Sequence, residues 1–268
     1  LKSLPGRQGS GDKVDWIGFT IFGLASAFLT LFFSYMAWWM LIVAVALFVV
    51  FAVYIAKASD PFVTPAFFKN TRWLAAMSLI LVFYFTNYCI SPLFNGIGTT
   101  VYGMTTAQVS TYVVWAFVCA AIVGTCSGLI IGRIGKQAAR IIAGCLMIAG
   151  FVSAALAVNA GFLALTIAAC VFYCGVGLMY SPVVSTVLST IPQEESGRGV
   201  GMNDLLMNVT ASIGISIIGG LMGSQALAGS SITGATGAAA GYSNLLLIGA
   251  GVMTLGLIVF LVFRKKIY

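Results

Sequence analysis

The sequence predicts an all-α polytopic membrane protein with eight transmembrane helices. Three observations predict it. Of 268 residues, 60% are hydrophobic and only 7% charged, against about 25% charged in a soluble domain, and mean hydropathy is +1.07. The apolar residues fall into eight runs, each near the roughly 20 residues a bilayer span needs. The basic residues gather on alternate connections between those runs. The net charge of +7 therefore reports orientation in a membrane and does not point to a nucleic-acid partner.

The first two spans share one block, Trp16 to Ala56. As one straight helix it would measure about 60 Å, twice the ~30 Å hydrocarbon core, so it must turn. The turn is expected at "SYMAWW", Ser34 to Trp39, which carries the interfacial aromatics Tyr35, Trp38 and Trp39. The remaining spans read as Arg72–Leu93, Gln108–Ile131, Ala139–Val158, Phe162–Thr190, Gly201–Ser224 and Ser243–Phe263. Leu1 opens the chain, which raises the expectation of a processed product or part of something larger.

Charge tests the count. All thirteen Lys and Arg fall in Leu1–Asp15, Lys57–Thr71, Gly132–Arg140, Ile191–Val200 and Arg264–Tyr268, or at their edges. The opposite connections, "SYMAW", "NGIGTTVYGMTTA", "NAG" and "QALAGSSITGATGAAAGY", hold none. An odd number of helices would scramble this pattern. Basic residues stay on the cytoplasmic side, so a multi-pass protein of the cell membrane with both termini cytoplasmic is expected.

Between the fourth and fifth spans runs "GLIIGRIGKQAAR", Gly128 to Arg140. Gly124, Gly128 and Gly132 recur every four residues, so they share a helix face and allow close approach of another helix. Arg133, Lys136 and Arg140 are expected at headgroup level. Packing glycines plus a topology anchor account for this locally. The stretch also resembles the cytoplasmic turn G-x-x-x-D-R-x-G-R/K-R/K that major facilitator superfamily transporters carry between the second and third helices of each six-helix half. Gly128, Arg133, Gly135 and Lys136 match it, and Gly132 stands where the acid would be. "DPFVTPAFFKN" (Asp60–Asn70) and "GYSNLLLIGAGV" (Gly241–Val252) resemble stretches of the 14-helix drug:proton antiporters, in particular the tetracycline exporters of that branch.

That resemblance implies an organisation. Residues 1–15 would be a cytoplasmic N-terminal segment and 16–56 two inserted transmembrane helices. Residues 57–71 would be a cytoplasmic amphipathic connection, 72–263 a six-helix facilitator half, and 264–268 a cytoplasmic tail. It implies a partner, a six-helix N-terminal half in the same polypeptide or in a separate subunit. The substrate would be an amphipathic drug-like small molecule. No cofactor is implied, since a proton gradient would supply the energy.

The chain has no histidine, which excludes histidine metal sites, bases and proton relays. Its six cysteines, Cys89, Cys119, Cys126, Cys145, Cys170 and Cys174, all fall in spans; free, buried, space-filling thiols are expected, and no metal site. No nucleophile–base set or catalytic acid pair is visible, so an enzyme is not expected. Asp12, Asp15 and Asp60 read as solvated. Glu194 and Glu195 follow Pro192 and complement the start of a helix.

Asp204 differs, because it falls at membrane depth on the seventh span, where an acid is costly and marks a site by default. In the resembling family this position often carries a polar Asn. Tetracycline exporters carry a membrane acid about seven residues further on, where Ala211 stands here. Asp204 is thus the candidate proton-coupling carboxylate; the alternative is an interfacial acid paired with Arg198 or facing water. Tyr84, Asn87 and Tyr88 on the third span can share one face. With Tyr112 and Trp115, Tyr173, Asn203 and Asn208 they are candidates for a cavity suited to a flat amphipathic molecule. Helix–helix hydrogen bonding and interface anchoring are the alternative for each. Gly128, Gly132, Arg133, Gly135, Lys136 and Arg140 form the candidate cytoplasmic gate motif. The function expected is the C-terminal portion of a proton-coupled, tetracycline-type drug exporter. The alternative is a membrane scaffold or sensor derived from a facilitator half.

Overall fold

A computed structural model of the chain describes residues 15–59, 61, 69–191 and 196–267. Eight helices in it are long and apolar enough to cross a membrane. They are α1 (Trp16–Tyr35), α2 (Trp38–Lys57), α3 (Thr71–Gly96), α4 (Thr106–Ile134), α5 (Lys136–Ala157), α6 (Phe162–Leu188), α7 (Ser196–Met222) and α8 (Ala238–Ile267). The protein is a multi-pass, all-α membrane protein. A two-stranded hairpin pairs Gly229 with Gly237 and Ser230 with Thr236 between α7 and α8.

Local chemistry sets the turns. α1 ends in a left-handed residue, Met36, whose N–H bonds the Phe32 carbonyl, and α2 starts two residues later. Asp15 caps α1 by accepting from the Gly18 N–H at 2.8 Å, and its carboxylate also accepts from the Tyr54 hydroxyl at 2.6 Å, which staples α1 to α2. Asn70 caps α3 through the N–H groups of Arg72 and Trp73, while its amide donates to the Thr190 carbonyl at the end of α6. α3 runs past the expected Leu93 through Pro92 into a wider π turn, Ile97–Val101. Thr105 and Gln108 form a reciprocal capping box at α4. The turn after α5 is clamped by Tyr102, whose hydroxyl donates to the Val158 carbonyl and accepts from the Gly161 N–H.

Packing organises the last six helices as two triplets, α3–α5 and α6–α8. α6 lies against α4 and α5; α3 lies correspondingly against α7 and α8; α5 and α8 meet each other. Exchanging the triplets maps the pairs of α6 onto those of α3 and leaves the α5–α8 pair in place. Glycines set the closest approaches. A Cβ at Gly150 on α5 would sit 2.6 Å from the Phe172 Cα on α6, and one at Gly177 on α6 would sit 2.5 Å from the Ala120 carbonyl oxygen on α4. The α1–α2 hairpin joins this body through α1, which packs on α7. There the Ser34 hydroxyl bonds that of Ser216 at 2.9 Å.

Arg140 departs from expectation. The sequence places it at headgroup level in the gate motif; the structure buries it to 4% exposure at the junction of α5, α6 and α8. Its guanidinium donates to the Pro182 carbonyl at 2.8 Å and to the Thr186 hydroxyl, and lies 4.6 Å from the Phe260 ring centroid. Proline breaks the regular ladder of α6 at this level, and the Arg140, Thr186 and Ser185 side chains all converge on the Pro182 carbonyl. Arg140→Ala is expected to cost about 2–4 kcal/mol, through lost charged hydrogen bonds and the cavity left behind. Arg140→Met, which restores the stem packing, should recover more than half of that in detergent thermal unfolding.

Candidate functional site

The sequence already places a polar stripe on α3, and the structure turns it outward. Tyr88, Ser91 and Thr99 are exposed, and Asn87 and Asn95 are half-buried. From Tyr84 the spacing to Tyr88, Ser91, Asn95 and Thr99 keeps all five on one helical face. α7 carries a second stripe of Gly201, Asp204, Asn208 and Ser212, all exposed. α3 and α7 pack side by side, and Gly214 permits it, since a Cβ there would meet the Phe85 carbonyl oxygen at 3.1 Å.

Four aromatic hydroxyls and one carboxylate gather where these helices meet α6. Tyr84, at 2% exposure, lies within electrostatic range of Tyr88, Tyr180 and Asp204, and Tyr173 within range of Tyr88. Asp204 stands on the stripe of α7 that the other helices of this chain leave uncovered. It is exposed, and its carboxylate accepts a long, 3.4 Å hydrogen bond from the Asn203 amide. The Asn208 amide is turned back onto the Asp204 carbonyl at 2.8 Å. Behind this face, three buried polar atoms of α3 and α7 have no hydrogen-bond partner among the described residues: the Tyr84 hydroxyl, the Asn95 Oδ1 and the Asn203 Oδ1. A buried polar atom left unpaired is costly. Asn95 lines a cleft of about 290 Å³ between α3 and α4, together with Ser91, Ser110, Val113 and Phe117.

Of the other sequence candidates, Tyr112 and Trp115 lie on α4, and Tyr173 of the cluster also packs against that helix. Tyr112 stacks edge-on against Phe162 at 5.3 Å, at the end of α4 away from the basic turn. Trp115 heads an exposed apolar stripe with Val118, Ile122 and Leu129 on α4. Tyr173 is buried at 6% exposure against Phe117, with ring centroids 4.7 Å apart. Sequence reasoning left Ser91, Asn95 and Ser110 out of the candidates. The signal that finds Ser91 and Asn95 is the continuation of the Tyr84–Tyr88 spacing along the same face.

The basic turn is a single residue. α4 ends at Ile134 and α5 starts at Lys136; Gly135 between them adopts φ +82°, and its N–H bonds the Ile131 carbonyl. That conformation accounts for glycine at this motif position. Gly124 touches α6, with its Cβ position 3.9 Å from the Gly177 carbonyl oxygen, whereas Gly128 and Gly132 meet nothing within 4 Å. Arg133 and Lys136 are exposed beside them. Of the cysteines only Cys89 is buried; Cys126 and Cys145 are exposed and the other three intermediate, and all are free. Cys170 and Cys174 on α6 meet Cys119 on α4. No grouping able to hold a metal ion occurs among the described residues. Glu194 and Glu195 lie outside them.

No family model matches the chain. It is similar to the multidrug resistance protein Stp of Mycobacterium tuberculosis, strain CDC 1551 / Oshkosh, at 21% identity over 166 residues, 62% of this chain and 31% of that protein. The Stp protein of strain H37Rv matches to the same extent. The likeness is distant. The chain spans about a third of the length of the curated relatives it matches.

Proposed function

We propose that this chain is the C-terminal portion of a proton-coupled exporter of amphipathic drugs, tetracycline-like molecules among them. It works by alternating access against a six-helix N-terminal half, encoded in the same polypeptide or in a separate subunit. The observation that carries the proposal is the uncovered polar face of α3 and α7, along which Tyr88, Ser91, Asp204, Asn208 and Ser212 are exposed. At membrane depth such a face is costly against lipid. A second half related to this one by an axis along the membrane normal would cover it and enclose a midplane cavity. The distant likeness to a multidrug resistance protein supports the same reading. Proton exchange at Asp204 would bias which side the cavity faces, and Gly128, Gly132, Arg133 and Lys136 would meet the second half across the cytoplasmic gate.

The test is pH-gradient-driven accumulation of a fluorescent amphipathic drug in vesicles holding both halves. Equal uptake with and without the gradient sinks proton coupling. Absence of any drug movement supports the second reading, a scaffold or sensor derived from such a half. One observation favours that alternative: Gly132 occupies the place of the motif's acid, which removes a gate contact.

Orientation has its own measurement. In a background without native cysteines, single thiols at Ala107 and Ile232 should react with an impermeant maleimide in intact cells, and one at Gln137 only after lysis. All three positions are exposed, so accessibility of the loop decides the result. Labelling of Gln137 in intact cells would invert the topology.

A further inference from the structure

A groove of about 610 Å³ separates the α1–α2 hairpin from α3 and α7. α2 packs chiefly on α1, and its contact with α3, its neighbour in sequence, is at most slight among the described residues, so two apolar helix faces look at each other across a gap. Phe48, Phe51 and Ile55 of α2, Trp73 and Met77 of α3 and Met202 of α7 line it. Its volume lies within the range of built ligand sites, roughly 300–1,000 Å³. The floor is well formed: Phe22 of α1 meets Phe51 edge-on at 5.2 Å, and Trp73 and Met77 are buried at 1% and 3% exposure.

The groove has a direction. Ile55 lies two residues before Lys57 at the end of α2, and Trp73 lies two residues after the start of α3. From there the lining runs inward to Phe48 and Leu81, roughly 10–12 Å at 1.5 Å per residue. Its mouth is therefore at the basic end of both helices, where Lys57, Lys69 and Arg72 are exposed. Asp15, the acid at that end of α1, is turned into the hairpin by Gly18 and Tyr54. Left empty, an apolar gap forfeits dispersion contacts along its whole lining, and its apolar walls offer water no partners. At this depth the surrounding medium is acyl chain, and at the mouth it is headgroup phosphate.

We infer that this groove seats an acyl chain of an anionic phospholipid, with its headgroup against Lys57 and Lys69. Juxtamembrane lysines attract anionic headgroups, and the aromatic and methionine lining adapts to a flexible chain. The lipid then fills the gap and ties the hairpin to the six-helix body.

The experiment uses the complete transporter in nanodiscs with phosphatidylglycerol or phosphatidylcholine carrying a photoactivatable acyl chain. Phosphatidylglycerol should label the peptides containing Phe48–Ile55 and Trp73–Leu81. Ala52→Phe and Ser78→Trp, which fill the groove from opposite walls, should each remove that labelling while leaving other lipid contacts. Lys57→Gln with Lys69→Gln should reduce the preference for phosphatidylglycerol about 25-fold, roughly fivefold per lysine. Equal labelling by both lipids in the parent protein would overturn the proposal, as would labelling that survives both filling variants. Crosslinks from Leu74 to helices of the second half, in place of lipid, would also overturn it and make the groove a protein interface.

Discussion

Asp204→Asn is expected to abolish pH-gradient-driven accumulation of drug while sparing passive exchange. The amide keeps the shape of the carboxylate and can still meet the Asn203 amide, which now bonds Asp204 at 3.4 Å. It cannot cycle between charged and neutral forms at any physiological pH. Because the side chain is exposed on α7, folding of this chain should be little affected, with a stability change within about 0.5 kcal/mol. The effect thus divides cleanly between transport and stability. Uphill transport by the Asp204→Asn protein at the parent rate would remove Asp204 from the coupling mechanism and place the titrating group elsewhere. A coequal loss of passive exchange would make Asp204 a cavity-forming residue instead.

Gly177→Val is expected to destabilise the protein by about 3 kcal/mol, at the upper end of what overpacking costs. The new Cβ would sit 2.5 Å from the Ala120 carbonyl oxygen and 3.1 Å from the Gly124 nitrogen, both backbone atoms of α4. No side-chain rotation relieves such contacts, so α4 and α6 must separate. That seam carries the Phe117–Tyr173 ring contact and the Cys119–Cys170–Cys174 meeting, and all should loosen together. The control is Gly128→Val, four residues beyond Gly124 on α4, where a Cβ meets nothing within 4 Å. Thermal unfolding of the purified chain should separate the two by several degrees. Equal melting temperatures would mean that the α4–α6 contact is not the close one described.

Much of the architecture is legible in the sequence because a bilayer removes alternatives. Backbone polar groups in hydrocarbon must be satisfied within each segment, so each apolar run of sufficient length becomes a helix, and α1 and α2 part at Met36–Ala37 inside the expected "SYMAWW". Gly135 is legible for a similar reason: a positive φ at a one-residue turn admits glycine and little else. The polar stripe on α3 is readable from spacing alone, since helical periodicity does not depend on the neighbours.

Arg140 and Trp115 show where that reasoning stops. Both obey strong single-residue rules, a basic residue at the membrane edge and an amphipathic aromatic at depth, yet one is buried against Phe260 and the other is exposed on an apolar stripe of α4. Which face of a helix meets which neighbour depends on small residues elsewhere, at Gly150, Gly177 and Gly214, acting through close backbone approach. The sequence by itself determined the number of spans and their order, because those follow from hydrophobic length and from the places where Lys and Arg interrupt it. Only the tertiary structure decided the pairing of α3 with α7, the burial of Arg140 of α5 against α6 and α8, the exposure of Asp204 and the groove under the hairpin. Those depend on contacts between residues far apart in the chain, which no local pattern encodes.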